Sequence, residues 1–334
     1  MDISPVDLSS DLELRASYDL ERRATMVGRE DYPHYSWPEM SAMWRHDDPA
    51  ERKVLLAGYD DGRMVAGAVA YLPLADNTHM AWVGVCVDPD EQHRGLGREM
   101  LDHIEGVATD AGRTSLLSEA KLPFDEITTH RSRRFAEDAG YTLSNVEIVR
   151  HLPLPVAEAD LATWEKQAAE RHDGYRIKTY LNQVPDELVP SLCVLLGQLV
   201  VDAPTGEAEW EEEKITPERF RDNLSSLVAA GRRMYETVAI APDGTVAAQS
   251  TLAVPPDGAR TDVSQWGTFV HREHRGHRLG LAVKVANLRA VQSAHPEMTR
   301  VVTQNAETND YMVSINELMG FDPVEASVEF IKRA

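Results

Sequence analysis

A short segment of the chain, DEQHRGLGREM (90–100), places cations and glycines where a helix is predicted to begin. Arg94 and Arg98 flank Gly95 and Gly97. The first backbone N–H groups of a helix have no partner inside the helix, and the helix dipole adds positive potential there. Glycine lets the backbone approach a ligand without a Cβ atom in the way. These features predict an anion-binding turn, and a pyrophosphate is the anion they favour.

Three other interpretations of this turn compete with a pyrophosphate site. A dinucleotide-binding fingerprint requires a third glycine where this chain has Met100, so it fits poorly. A Walker phosphate loop requires Gly-Lys-Ser/Thr, which the sequence lacks. The third interpretation is an ordinary helix start with surface arginines, and the turn alone does not exclude it.

A similar turn occurs again in the second half of the chain, within TFVHREHRGHRLGLAV (268–283). Matching residues lie 183 positions apart: Val87 and Val270, Gln92 and Arg275, Gly97 and Gly280. A glycine-aromatic pair then recurs 180 positions apart, as Gly140-Tyr141 and Gly320-Phe321. Two matches in the same order indicate a duplicated domain.

The elements predicted around the two turns also repeat. In the first half we expect helices at 8–27, 95–111 and 130–140, and strands at 52–60, 63–72, 79–87, 114–120 and 141–152. In the second half we expect strands at 174–181, 233–241, 244–254, 261–270, 300–306 and 324–333, and helices at 184–200, 216–231, 278–294 and 309–320. The pattern predicts an α/β fold (α+β, mixed sheet) with domains at 1–152 and 174–334, joined by a linker helix at 153–173.

Composition limits the function classes. The formal net charge is −21 and the pI about 4.9, which argues against nucleic-acid binding and favours cationic small molecules. Two cysteines provide neither a disulfide framework nor a cysteine zinc site, and no metal is expected. The longest apolar run, 188–201, is too short to span a bilayer, and the first ten residues do not form a secretory signal. We therefore expect a cytoplasmic protein, monomeric or homodimeric, without membrane partners.

Taken in order, these elements resemble the GNAT superfamily of acyl-CoA-dependent N-acyltransferases. The family signature Gln/Arg-x-x-Gly-x-Gly/Ala is met by Gln92-His93-Arg94-Gly95-Leu96-Gly97. The second copy, Arg275-Gly276-His277-Arg278-Leu279-Gly280, departs at Arg278, where the family has glycine. The resemblance covers nearly the whole chain as two tandem GNAT-type domains, a layout similar to that of mycothiol synthase.

The resemblance implies acetyl-CoA as co-substrate and direct attack by an amine in a ternary complex. Backbone N–H groups of the strand before each turn would face the thioester and the pantetheine arm. In the first half the implied contacts are Val85, Cys86, Val87, Gln92, His93, Arg94, Gly95, Leu96, Gly97 and Arg98. In the second half they are Thr268, Phe269, Val270, Arg275, Gly276, His277, Arg278, Leu279, Gly280, Asn305 and Asn309. Asn309 is equally a candidate helix N-cap.

Candidates for proton transfer are less regular. Many family members carry a tyrosine five residues before the aromatic of the glycine-aromatic pair, where this chain has Ala136 and Asn316. Tyr311 is the nearest alternative acid, although a packing or substrate-wall role competes with it. Asp262 and Glu236 are the candidate bases, together with His79; each is also consistent with an ordinary strand position.

The preferred function is acetylation of a primary amine on a small, cationic acceptor. We favour catalysis in the second half, because Asn305 and Asn309 follow its short strand, and cofactor binding or support in the first half. The alternatives are a catalytically weak acyl-CoA-binding or sensing module and a protein-lysine acetyltransferase. The aromatic segment 32–44 and the acidic segment 207–214 contribute either to an acceptor site or only to packing and solvation.

Overall fold

Helices and strands follow one another in the predicted order in the computed structural model, which describes residues 1–29, 32–256 and 258–333. The first half contains β1 (Asp2–Pro5), α1 (Asp11–Thr25), α2 (Trp37–Arg45), β2 (Glu51–Asp60), β3 (Arg63–Pro73), β4 (Met80–Val87), α3 (Leu96–Asp110), β5 (Ser115–Leu122), α4 (Arg131–Asp138) and β6 (Thr142–Pro153). The short strand β1 and the helix α2 were not predicted.

The second half begins with a helix and continues with the same succession of elements. It contains α5 (Glu158–Ala169), β7 (Arg176–Leu181), α6 (Val189–Asp202), α7 (Pro217–Ala229), β8 (Arg233–Ile240), β9 (Val246–Val254), β10 (Asp262–Val270), α8 (Leu279–Ala294), β11 (Arg300–Ala306), α9 (Asp310–Leu318) and β12 (Asp322–Arg333). The predicted mixed α/β fold is confirmed, with the same succession of elements in both halves.

The chain forms two compact units, and neither is one continuous segment. The first unit comprises Met1–Asn145, Gly206–Glu209 and Ser327–Ala334, and the second comprises Val146–Thr205 and Trp210–Ala326. The compact units therefore do not coincide with a division into 1–152 and 174–334.

The first unit has the strand order β1-β2-β3-β4-β5-β12, so the end of the chain completes its sheet. Lys332 Nζ lies 2.6 Å from Glu105 Oε2, and Arg333 donates to Ser115 Oγ at 2.6 Å. The helices α1 and α2 pack on β2 and β3 through buried residues that include Leu14, Tyr18 and Trp44. The aromatic segment therefore caps this core.

The second unit has the strand order β6-β11-β10-β9-β8-β7. The predicted linker helix is α5, and it belongs to the core of this unit: Leu161, Trp164 and Ala168 are buried in one cluster with Leu281 and Val285 of α8. The helices α6 and α7 cover the other side of β8 and β9.

Both units contain a pair of parallel strands that separate after a short contact. Met80–Trp82 of β4 pair with Ser115–Leu117 of β5, and Asp262–Ser264 of β10 pair with Arg300–Val302 of β11. Beyond these residues, β4 and β10 keep only their antiparallel neighbours, β3 and β9, within the described chain. Both units therefore share this separation of two parallel strands.

Candidate functional site

The first anion-binding turn connects β4 to α3. Asp90 N–H donates to Asp88 Oδ1 at 3.2 Å and starts a short 3-10 turn. His93 (φ 62) and Gly95 (φ 83) then adopt left-handed backbone conformations, and α3 begins at Leu96. His93 and Gly95 are exposed, so the start of α3 faces solvent.

Three arginines surround this turn. Arg94 pairs with Asp60 at 2.8 Å and also with Glu91. Arg98 pairs with Asp102 at 2.8 Å. Arg131, at the start of α4, donates to Gln92 Oε1 at 2.9 Å. Sequence reasoning missed Arg131, although the run HRSRR before the glycine-aromatic pair was a usable signal.

Gly97 lies where α3, β4 and α4 come together. A Cβ atom at Gly97 would lie 3.4 Å from Val87 Cγ2 and 3.6 Å from Phe135 Cε2, so it would fill the space between them. The left-handed turn, the exposed helix start, the arginines and this space are what a pyrophosphate-bearing acyl-CoA requires. Val85, Cys86 and Val87 form the end of β4 that leads into it.

The second turn has the same backbone as the first. Gly276 (φ 84) and Arg278 (φ 52) are left-handed, 183 positions after His93 and Gly95. Each turn therefore has one glycine and one other residue at these two positions, with their order reversed. A non-glycine residue in this conformation costs about 1 kcal/mol. The departure from the family signature at Arg278 changes the side chain and leaves the backbone path unchanged.

The second turn is bound to the carboxyl end of α5. Arg278 donates to Gln167 O at 2.5 Å and pairs with Glu170 Oε2 at 2.8 Å. His277 Nδ1 lies 3.0 Å from Arg171 O. The last carbonyls of a helix carry the negative end of its dipole. The end of α5 therefore places negative charge beside the second turn.

Other cations of the second turn are also engaged. Arg272 and Arg275 share the carboxylate of Asp202 at the end of α6, at 2.7 and 2.8 Å. Gly280 is buried, and a Cβ atom there would lie 3.2 Å from Ile315 Cδ1, closer than the contacts at Gly97. Leu279 is buried, as is its counterpart Leu96, so the difference between the turns lies at the glycine. The second turn thus has less room than the first.

The position of the family tyrosine differs between the units. Ala136 in the first unit is a buried apolar residue. Asn316 in the second unit is buried, donates to Asn305 Oδ1 at 2.9 Å and accepts from Lys284 Nζ at 3.0 Å. Arg150 also donates to Asn305 Oδ1, at 3.2 Å. Asn305, expected at the cofactor, is therefore held in a buried polar network.

Lys284 is the unusual member of that network. It is 2% exposed, and its Nζ lies 4.9 Å from the centre of the Phe321 ring. Burial lowers the pKa of Lys284 to about 7. In the same region, Asn309 caps α9 by accepting from Met312 N–H at 3.3 Å, and Tyr311 is 80% exposed.

The candidate bases lie in different places. Asp262 begins β10, pairs with Arg260 at 3.0 Å and precedes Val270 by eight residues, about 26 Å along a strand. His79 directly precedes β4, so within the first unit it too lies at the start of the strand, away from the turn. Glu236 on β8 is 8% exposed and accepts from Thr251 Oγ1 at 2.6 Å. Of these three residues, only Glu236 does not lie at a strand start opposite a turn.

Glu21 on α1 is a carboxyl group that sequence reasoning missed. Burial raises the pKa of Glu21 to about 7. The pKa values of Tyr71 and Cys86 are both raised to about 12, mainly by burial and next by the negative charge of Glu21. This effect on Cys86 indicates that the Glu21 carboxyl lies near the end of β4. Its position seven residues after Leu14, on the buried side of an amphipathic helix, was the available signal.

Within residues 1–29, 32–256 and 258–333, no group of three or more His, Cys, Asp or Glu side chains has a geometry that could hold a metal ion. Among the same residues, no helix is both long and apolar enough to cross a bilayer.

Comparisons with known proteins bear on this geometry. Residues 14–141 match the acetyltransferase (GNAT) family. A stretch of 108 residues is 31% identical to an amino-acid acetyltransferase of Azotobacter vinelandii, over 32% of this chain and 22% of that protein. The match thus spans about a fifth of the relative's length.

Solved structures resemble the chain over almost its whole length. A tandem GNAT protein from the clavulanic acid biosynthesis pathway superposes with a TM-score of 0.77 and 24% identity, covering 99% of this chain and 98% of that one. A GCN5-related N-acetyltransferase from Sphaerobacter thermophilus superposes with a TM-score of 0.65 and 16% identity, covering 99% of this chain and 95% of that one. Saccharomyces cerevisiae N-myristoyltransferase with bound myristoyl-CoA superposes with a TM-score of 0.61 and 12% identity, covering 99% of this chain and 78% of that one. The chain therefore carries a GNAT acetyltransferase domain in its first half, within a tandem GNAT fold that extends over its whole length.

Proposed function

We propose that the protein is an acetyl-CoA-dependent N-acetyltransferase that acetylates a primary amine of a small, cationic acceptor, and that the first unit carries out the reaction. The observation that supports this proposal is the difference between the two turns. Both turns are exposed, but the first lies next to the space at Gly97, whereas the second is joined to α5 by Arg278 and its Gly280 is buried. The sequence favoured the second half because of Asn305 and Asn309, but both side chains have structural partners there.

The residues that would hold the pyrophosphate are at the first turn. The N–H groups of Leu96 and Gly97 open α3, and Arg94, Arg98 and Arg131 supply positive charge beside them. When bound, acetyl-CoA supplies the thioester that an amine attacks. The part of β4 that has separated from β5 offers backbone N–H groups toward the developing oxyanion.

Glu21 is the proposed general base. A carboxyl group with a pKa of about 7 is partly ionised at neutral pH, so it can accept a proton from the acceptor's ammonium group. Ala136 has no acidic proton, so the first unit leaves protonation of the departing sulfur to water. The chain's net charge of −21 and the activity named for the Azotobacter relative both support a small amine as acceptor.

The test is acetyl transfer from acetyl-CoA to a panel of small amines, followed by thiol release. We expect the unmodified chain to turn over, with kcat/KM rising with pH through about 7 as Glu21 loses its proton. Glu21→Gln should lower kcat about 100-fold and remove that pH dependence, while leaving CoA binding intact. Unchanged kcat and an unchanged pH profile in Glu21→Gln would reject the assignment of the base. CoA binding without turnover on any amine would favour a sensing module instead.

A further inference from the structure

One buried carboxylate joins the first turn to two other elements of its unit. Asp88 directly follows β4 and is 3% exposed. Its N–H donates to Val65 O of β3 at 2.8 Å, and its Oδ1 accepts from Asp90 N–H at 3.2 Å. Its Oδ2 accepts from Arg23 Nη2 of α1 at 2.8 Å and from Arg63 Nη1 of β3 at 3.3 Å. The carboxylate therefore connects α1 and β3 to the 3-10 turn that leads to α3.

The contact between Asp88 and Arg23 differs from an ion pair on the surface. The side chain of Asp88 is 5% exposed, whereas that of Arg23 is 52% exposed. Burial favours the neutral acid, but the N–H of Asp90 and the arginines Arg23 and Arg63 hold the pKa of Asp88 below its ordinary value. A charged hydrogen bond to a buried carboxylate holds its donor more firmly than a pair between two exposed side chains does. The Asp88 carboxylate therefore fixes the position of Arg23.

Arg23 lies close to the proposed base on the same helix. It follows Glu21 by two residues, which correspond to about 3 Å along a helix axis. The charges of both side chains act on Cys86: burial raises the pKa of this thiol to about 12, Glu21 adds to the rise, and Arg23 opposes it. Both side chains therefore lie near the end of β4, and the contact between Arg23 and Asp88 holds this part of α1 against the strand.

The second unit links its corresponding helix to its turn with the charges exchanged. The residue 183 positions after Asp88 is His271, whose side chain also caps the 3-10 turn. There the helix α6 provides the carboxylate, Asp202, and the turn provides the cations Arg272 and Arg275. In the first unit the helix provides the cation instead. The link to α1 therefore does not use the arginines of the first turn.

We infer that Asp88 is a positioning residue for acetyl transfer: through Arg23 it holds α1, and with it Glu21, in place against the turn that binds the pyrophosphate. This inference rests on the proposed function, in which Glu21 is the base. A base must lie within hydrogen-bond reach of the amine that it deprotonates, and a small displacement of a reacting group reduces turnover strongly. Loss of the contact should therefore lower kcat and leave the affinity for CoA almost unchanged.

The experiment measures acetyl transfer and calorimetric CoA binding in variants of the full chain. Arg23→Gln and Asp88→Asn each break the ion pair, and the amide oxygen introduced by Asp88→Asn can still accept from Asp90 N–H. We expect kcat to fall about 10-fold in both variants, with the Kd for CoA within about 2-fold of the unmodified chain. Arg22→Gln is the matched control, because it removes the same charge from the neighbouring, exposed position of α1, and it should retain kcat. The double variant Arg23→Gln/Asp88→Asn should lose no more than Asp88→Asn, since both changes break one contact.

Two further measurements guard against misfolding and against failure of the proposed function. Arg23→Lys keeps a cation within reach of Asp88 on a half-exposed position, so it should retain most of kcat. Hydrogen exchange of the amides at 21–25, measured without CoA, should become about 10-fold faster in Arg23→Gln and Asp88→Asn and stay unchanged in Arg22→Gln.

Several results would overturn the inference: an unchanged kcat in Arg23→Gln, an equal loss of kcat in Arg22→Gln, losses that multiply in the double variant, or CoA affinity that falls as far as kcat. If hydrogen exchange responds as expected but no amine is acetylated, only the proposed function fails. If amines are acetylated and neither kcat nor exchange changes in Arg23→Gln, only the role of Asp88 fails.

Discussion

The two turns of this protein share one backbone path and differ in the contacts they make. In both, two left-handed residues precede a helix, although glycine occupies the second position in one turn and the first in the other. Both turns are exposed, but only the second is bound to the carboxyl end of a helix, α5, through Arg278 and His277. The comparison teaches that a signature sequence determines the local conformation, and packing from a distant element determines whether a ligand can use it.

The buried side chains behind the two turns also differ between the units. In the first unit the equivalents of Lys284 and Asn316 are Leu101 and Ala136, both buried and apolar. The second unit fills this region with a polar network around Lys284. A duplicated fold has therefore kept its strand pairing in both units, while its buried side chains have diverged.

Gly97→Glu should have the largest effect. The added carboxylate enters the space between Val87 and Phe135 and repels the pyrophosphate, so CoA affinity and turnover should each fall about 100-fold or more. Gly106→Glu is the matched control, since it adds the same charge to the same helix at a position where a Cβ atom meets nothing within 4 Å. Equal losses in the two variants would show that the effect comes from charge or helix stability rather than from the turn.

Lys284→Met should sharpen the contrast between the buried regions. Lys284 has a pKa of about 7 in the folded chain and about 10.4 when unfolded, so the unfolded state binds an extra proton between these values. The free energy of unfolding should therefore rise from pH 7 to pH 10, and the full penalty should apply below pH 7.

In Lys284→Met that rise should disappear, and the variant should be more stable near pH 7 by on the order of 2 kcal/mol after the loss of the Asn316 hydrogen bond. Urea denaturation at pH 7 and 9.5 measures both effects. Leu101→Met, at the equivalent position in the first unit, is the control and should keep the pH dependence of the unmodified chain. Parallel pH curves for Lys284→Met and the unmodified chain would contradict a neutral buried amine.

Opening the second turn should have the smallest effect. Arg278→Gly/Glu170→Gln removes the ion pair with α5 and restores the family glycine in a left-handed position, so a second CoA site should appear, about 10-fold weaker than the first. Arg289→Gln is the control, because it breaks the ion pairs with Glu158 and Glu165 of α5 away from the turn. The number of CoA molecules bound per chain, measured by calorimetry, distinguishes the double variant from Arg289→Gln. A second CoA site in Arg289→Gln as well would show that the whole of α5, rather than its carboxyl end, closes the second turn.

Most of the fold could be predicted from the sequence because its signals are local. Alternating apolar residues and glycine-containing turns predict the strands, and the cation-glycine segment predicts both helix starts. The strand β1 has four residues and no regular burial pattern, so nothing in its sequence distinguishes it from a loop. The helix α2 begins with Trp37-Pro38 and has aromatic residues at both ends, and it was interpreted as an aromatic cluster.

The site was harder to predict because its decisive contacts join distant residues. Glu21 acquires its raised pKa from packing against β3 and β4, more than forty residues later in the chain. The contact between Arg278 and Glu170 spans 108 positions, so α5 was interpreted as a linker. Asn309 was predicted either to contact the cofactor or to cap a helix; the cap is present, and a cofactor contact stays a prediction.

The central claim is that only the first turn is open to an acyl-CoA in the unmodified chain. Calorimetric titration of the full chain with CoA tests it most directly, with Gly97→Glu and Gly106→Glu titrated alongside. We predict one CoA per chain in the unmodified protein and in Gly106→Glu, weakened binding as salt rises, and no measurable binding in Gly97→Glu. Two CoA molecules per unmodified chain, or one that persists unchanged in Gly97→Glu, would contradict the account.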